Sequence, residues 1–294
     1  MKADEPIFIL GNPRSGTSLI RLMLNSHPDI TIPPECGFIQ WWYSKYAAWS
    51  LLDSNDALRV QEFVNDVATS RKIETWHLNF EMLEAEITSL QPSDYGELCA
   101  CVYSTYAKGR SRIPKVWGDK NNYYIHHLQE LNYIYPNAKY VAIVRDGRDV
   151  ACSYRGVSEL QSTSVYRPNL PIKVEEIAAE WTRNNTLIRD FFLSKVKGRS
   201  FTVRYEDLVQ SPATVLTQIC DFLKLKYSPQ MLEYHKSNSL NEDEPKEFID
   251  WKKKTLTAPD ANNINKFQKI LSVGEIAAFN EIADMMLKLY GYTQ

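Results

Sequence analysis

Apolar positions along the chain follow two rhythms. Short unbroken runs, "IFIL" (7–10) and "YVAIV" (140–144), suit strands buried on both faces of a parallel sheet. The stretches "PKVWGDK" (114–120) and "RSFTVRYEDL" (199–208) suit two more. Between these runs, apolar residues recur every three or four positions. That spacing predicts helices over 17–27, 56–71, 79–90, 94–109, 123–135, 174–196, 211–225 and 272–292, with another starting near Asp149. Ser93 is placed to cap the helix after it, and Ser211 with Pro212 fits a cap and first helical position. Residues 35–54 read as one aromatic helix with Phe38, Trp42, Tyr46 and Trp49 on a stripe, as core packing or as the wall of a pocket. Strands alternating with helices predict an α/β fold.

Two stretches keep no period. Residues 156–172 are polar, and 237–265 are charged and turn-rich, so both are expected as mobile loops that order over a bound ligand. Chain length and a hydrophobic content of 44% suffice for one large core over 1–294. The formal net charge of −2 gives no global field for nucleic acid or an anionic membrane. No charged-then-apolar leader is seen before the first strand, and no apolar run reaches the length that spans a bilayer, so a cytoplasmic protein without membrane insertion is expected, with a trimmed membrane anchor as the alternative. Five cysteines, an odd number set among apolar neighbours, fit a reducing compartment. Cys99 and Cys101, two apart on a helix, point to different faces, so no metal site is expected there.

The candidate chemistry begins at "GNPRSGTS" (11–18), between the first strand and the first helix. The spacing G-x-x-x-x-G is that of a phosphate-gripping loop, which directs backbone N–H groups at a helix N-terminus toward one anion. It points to a P-loop-type domain with a central parallel sheet flanked by helices. Thr17 and Ser18 add hydroxyls and Arg14 a forked cation. Thr17 stands where nucleotide hydrolases carry lysine, and the run 140–144 leads into Arg145 where they carry a metal-holding acid. The pattern therefore favours an anion held without metal. Ser153, eight positions after Arg145 on the next helix, completes a second anion grip.

Together "PRSGTS" and "IVRDGRDVACSY" resemble the sulfotransferases that use 3′-phosphoadenosine 5′-phosphosulfate (PAPS), over about residues 6–270. "GDKNN", "YPNAKYVAIVRDGRD" and "VRYEDLVQSPATVLTQICDFL" bring the chain nearest to the tyrosylprotein-type branch and its bacterial relatives. The resemblance implies that Arg14, Ser15, Gly16, Thr17 and Ser18 cradle the 5′-phosphosulfate, that Arg145 and Ser153 hold the 3′-phosphate, and that Tyr205 and Lys266 contact the nucleotide. It also implies Glu35, behind Pro33 and Pro34, as the general base, with Lys120 and Arg14 quieting charge on the leaving oxygen. A partly buried Glu35 beside an apolar helix would have its pKa raised toward neutral, which favours base catalysis. His126 and His127 are the rival bases.

The expected function is transfer of the sulfuryl group from PAPS to an acceptor hydroxyl of a tyrosine, carbohydrate or small molecule, leaving PAP, the desulfated nucleotide, without a metal. Its partners are then PAPS and that acceptor, with no nucleic acid; homodimerisation is left open. A kinase-like phosphotransferase using ATP and Mg²⁺ is the alternative enzyme, and a non-catalytic nucleotide-binding module the third reading.

Overall fold

The structure, a computed structural model, describes residues 5–241 and 243–292. Its five strands are β1 (Ile7–Leu10), β2 (Ile30–Thr31), β3 (Val116–Lys120), β4 (Lys139–Val144) and β5 (Ser200–Arg204). They form one parallel sheet in the order β2-β3-β1-β4-β5. The principal helices are α1 (Thr17–Asn25), α2 (Ala57–Ala68), α3 (Phe80–Leu90), α4 (Tyr95–Gly109), α5 (Gly147–Ser158), α6 (Val174–Ser194), α7 (Pro212–Leu223) and α8 (Val273–Leu289). The α/β architecture expected from alternating elements is thus observed. Strand β2 has no counterpart in the sequence reading, because two residues are too few to show a period.

The residues group into two compact units, one of Leu24–Lys139 with the chain up to Phe8, the other of Ile9–Met23 with the chain from Tyr140 onward. The first has an aromatic core. Trp117 stacks on Tyr103 at 4.0 Å, Tyr135 meets Trp117 edge-on, and Phe8 meets Tyr124 and Trp117 edge-on. In the second, α5, α6 and α8 close over one cluster that includes Val150, Ile177, Trp181, Phe279 and Met286.

Several elements depart from the sequence pattern. Residues 35–54 form three short helices, Phe38–Trp41, Tyr43–Tyr46 and Leu51–Ser54, because their rings seek different partners. Phe38 packs on Trp76 and Tyr103, whereas Tyr46 and Trp49 pack on Phe63. Phe38, Tyr46 and Trp49 are therefore core, while Trp42 is half-buried and donates to Ser70 Oγ at 2.8 Å. Asp94, not Ser93, caps α4 by accepting from the Glu97 N–H at 2.9 Å, while Ser93 donates to the Glu97 carboxylate from outside the helix. Residues 123–135 divide into a 3-10 turn over Asn122–His126 and a helix over Leu128–Ile134.

The segment 237–265, of which residue 242 lies outside the described residues, is built of short helical pieces with buried anchors. Glu244 makes buried ion pairs with Arg21 of α1 and with Lys252. Phe248 and Trp251 are buried against Val157, with Leu160, Tyr166 and Leu170 of the other polar stretch packed on them. Anchors spaced irregularly in sequence leave no period to read.

Gly118 in β3 is held by a close approach. A methyl group there would lie 2.6 Å from the Ile7 carbonyl oxygen of β1, against backbone that cannot yield cheaply. Gly118→Ala is expected to cost about 2 kcal/mol of stability through overpacking, read as a lower urea midpoint with unchanged slope.

Candidate functional site

The first group of site residues stands at the C-terminal end of β4 and β5 and on the loop before α1. The register pairs Val144 with Arg204, so Arg145 and Tyr205 leave neighbouring parallel strands side by side. The Arg145 guanidinium lies over the Tyr205 ring, 4.6 Å from its centroid. Gly16, at φ 101°, lets the loop pass on the same ring, where a Cβ would meet Tyr205 at 2.7 Å. Arg14 itself takes a left-handed conformation at φ 67°, unusual for a residue with a side chain and commonest where function holds the backbone.

Both arginines are held by neutral acceptors. Arg14 donates from Nε to Ser153 Oγ at 3.2 Å and from Nη2 to the Trp251 carbonyl at 2.7 Å. Arg145 donates to the carbonyls of Arg14 and Asn263. Among the described residues neither forms a salt bridge. Burial, and then the positive charge of Arg145, lower the Arg14 guanidinium to about 10. Ser15 Oγ and Arg145 Nε are buried and have no hydrogen-bond partner among the described residues. Buried donors of this kind are suited to the oxygens of a bound anion. Thr17 is buried at the start of α1 and Ser18 is half-buried beside it. Ser153, paired in the sequence with Arg145, accepts from Arg14, which links the two grips directly.

Lys254 lies near Arg145 and beside Lys266. Burial of its ammonium, then Lys266 and Arg145, bring Lys254 down to about 8, although much of its side chain is exposed. Lys266 is held from both sides, since Asp149 accepts from the N–H groups of Asn265 at 2.8 Å and Phe267 at 3.0 Å. Lys254 and Asp149 were missed in the sequence. Lys254 sits in a run of three lysines that looks solvated, and Asp149 reads as one more charge in a turn. Arg148 is occupied structurally by a two-pronged bond to Asp146.

The second group lies in the other unit. The register pairs Thr31 with Trp117, so the chain leaving β2 reaches Glu35 four residues later as β3 reaches Lys120 three residues later. Lys120, 1% exposed, donates to Glu35 Oε2 at 2.9 Å, and Lys72 stands 3.6 Å from the other oxygen. The surroundings of Glu35 are thus cationic and not the apolar ones expected from the sequence. Two ammonium groups favour the ionised carboxylate, the form a base needs. His126 is exposed, and His127 stands 3.9 Å from Glu130 on its own helix.

Beside this pair is a carboxyl that the sequence reading passed over. Asp119 is fully buried and accepts from the Tyr103 hydroxyl at 2.6 Å, from the Tyr124 hydroxyl, and from the Lys120 N–H at 2.6 Å. Burial raises it to about 7, against the pull of these donors. Nothing in "GDKNN" marks the acid as buried, because its hydroxyl partners come from distant positions. Among the described residues no cluster of potential ligands suits a metal ion, and no helix is long and apolar enough to cross a membrane.

The model of the sulfotransferase family matches residues 6–229. A Caenorhabditis briggsae protein provisionally named a protein-tyrosine sulfotransferase is 27% identical over 234 residues, covering 79% of this chain and 70% of its own. Protein-tyrosine sulfotransferase 2 of Gallus gallus is 24% identical over 229 residues, or 78% of this chain, which spans only about half (53%) of that relative. The sulfotransferase domain of the Synechococcus olefin synthase superposes with a TM-score of 0.64 at 21% identity, over 96% of this chain and 95% of that one, a likeness of fold.

The Asp119 carboxyl has a consequence for stability. Raised in the folded state above its ordinary value of 3.8, it favours folding at low pH. That contribution, on the order of 4 kcal/mol, falls as pH climbs from about 4 and is lost above about 7. Urea unfolding at pH 5 to 8 is expected to show this decline in wild type and its absence in Asp119→Asn.

Proposed function

The chain belongs to the sulfotransferase family, whose reaction moves a sulfuryl group from PAPS, and we propose that it delivers that group to an acceptor hydroxyl by in-line displacement. The observation that carries this is the pair of recessed guanidiniums, Arg14 and Arg145, lacking any carboxylate partner among the described residues and set beside the orphaned Ser15 Oγ. Such a set fits a nucleotide with two separated anionic groups. PAPS supplies the activated sulfuryl group and a phosphate leaving group. Arg14, Ser15, Gly16, Thr17 and Ser18 are assigned to its 5′ end. Arg145, Ser153, Lys254 and Lys266 are assigned to the 3′-phosphate, and the Tyr205 ring to the nucleotide.

Glu35 is assigned as the base. Held charged by Lys120 and Lys72, it takes the acceptor proton as the hydroxyl attacks. Lys120 and Arg14 meet the charge that develops on departing oxygens. The names of the relatives favour a tyrosyl hydroxyl, with carbohydrate and small-molecule acceptors as the other classes; an acceptor screen with labelled PAPS separates them. Five buried, unpaired cysteines support a reducing, cytoplasmic setting. A kinase-like reaction is not favoured, since Thr17 replaces the lysine that would reach ATP phosphates and Arg145 follows β4 where a metal-holding acid would stand.

Three measurements test these assignments. Glu35→Gln is expected to reduce turnover about 10²- to 10⁴-fold while PAP affinity, by calorimetry, stays within twofold of wild type. A loss of less than tenfold would remove Glu35 as the base. Because cationic side chains and N–H groups hold the anions, activity should persist in EDTA, and its abolition with rescue by Mg²⁺ would restore the kinase alternative.

The third concerns Lys254. A phosphate beside it favours the ammonium, so PAP binding near pH 8 should take up a proton, and affinity should weaken as pH rises past about 8. Titrations in two buffers of different ionisation enthalpy should show this uptake in wild type and its loss in Lys254→Met.

A further inference from the structure

We propose that Asp119 is a positioning residue for sulfuryl transfer, holding Lys120 at Glu35 through the Lys120 backbone and coupled to Glu35 by charge. The proposal rests on Glu35 being the base.

The geometry is a carboxyl gripped from three sides. Tyr103 comes from α4, Tyr124 from the 3-10 turn after β3, and the Lys120 N–H from the strand end. Each phenol is fixed in turn, Tyr103 by stacking on Trp117 and Tyr124 by its edge contact with Phe8. Asp119 therefore pins the backbone of Lys120, whose ammonium meets Glu35 at 2.9 Å. A general base displaced by even a fraction of an ångström loses rate, so a rigid anchor one residue from its partner matters.

Packing alone does not explain an acid there. A fully buried ionisable group costs stability, and a neutral or apolar side chain of the same shape would satisfy a core more cheaply. The titratable groups facing Asp119 are Tyr103, Tyr124, Tyr135, Cys36, Lys120 and Glu35. Burial pushes the three tyrosines and Cys36 upward, which keeps them neutral. The negative charge of Glu35 adds to the burial that raises Asp119, and by reciprocity an ionised Asp119 raises the hold of Glu35 on a proton. An ionised Asp119 makes Glu35 a stronger base. Once Glu35 has taken the acceptor proton, the repulsion is gone and Asp119 stays ionised more easily. No proton passes between them.

Carboxyl-detected NMR of the ¹³C-labelled protein reads Asp119 without activity. A midpoint near neutral is expected in wild type. It should move down in Glu35→Gln, which lacks the second charge, and up by about half to one unit in Tyr103→Phe, which lacks a donor to the ionised form. In kinetics, Asp119→Asn should lose the near-neutral limb of the turnover–pH profile and fall about tenfold at pH 8. Its KM for PAPS should stay within twofold of wild type. An Asp119 midpoint in the ordinary carboxylate range, one unmoved in Glu35→Gln, or a wild-type profile in Asp119→Asn would overturn the proposal. If Glu35→Gln abolishes turnover while Asp119 does not shift, the base assignment stands and this proposal fails. If Glu35→Gln keeps turnover, the base assignment fails, and the positioning role of Asp119 fails with it.

Discussion

A guanidinium stacked on a phenol ring organises the anion-binding unit. Arg145 rests over Tyr205 because β4 and β5 run parallel in a register that brings their ends level. The ring is also the floor on which Gly16 passes, so the phosphate loop takes its height from the same side chain. Arg145 then supports the loop by donating to the Arg14 carbonyl. One stack thus fixes a cation, a glycine turn and a second cation. Burial first, and then the like charge of Arg145, lower the Arg14 guanidinium, a cost that an anionic ligand relieves.

The segment 237–265 completes that arrangement. Its backbone carbonyls at Trp251 and Asn263 accept from Arg14 and Arg145, and its Lys254 comes near Arg145. Glu244, locked between Arg21 and Lys252, ties the segment to the helix that begins at the phosphate loop. A buried pair of this kind adds little net stability over an apolar contact. It does demand one geometry, which suits a stretch whose carbonyls meet two cationic side chains.

The other unit solves a different problem, keeping a carboxylate and an ammonium in contact at the edge of an aromatic core. Glu35 arrives on a stiff Pro33-Pro34 approach, and Lys120 arrives at the end of β3. Rings from four segments surround the strand, and two of them carry the hydroxyls that hold Asp119. The strand's close approach to β1 at Gly118 leaves no room for it to shift.

The α/β class, the phosphate loop and Arg145 were legible in the sequence because each is a local pattern: an unbroken apolar run, a glycine spacing, a charge at a strand end. The same holds for Ser153, Tyr205, Glu35 and Lys120 as candidates, through motifs that resemble a known family. Pairing was not legible. That Ser153 meets Arg14, that Lys120 is buried against Glu35, and that Lys254 comes near Arg145 depend on segments up to some 140 residues apart. The aromatic stripe of residues 35–54 looked like one helix because spacing records periodicity, not which ring each side chain will meet. Asp119 shows the limit most clearly. Its neighbours in sequence are a glycine and a lysine, and only packing against Tyr103 and Tyr124 removes it from water and turns an ordinary acid into one that titrates near neutrality. The chain's local chemistry determined which groups could act on an anion; burial and the convergence of distant segments decided which of them are charged, paired or left waiting for a ligand.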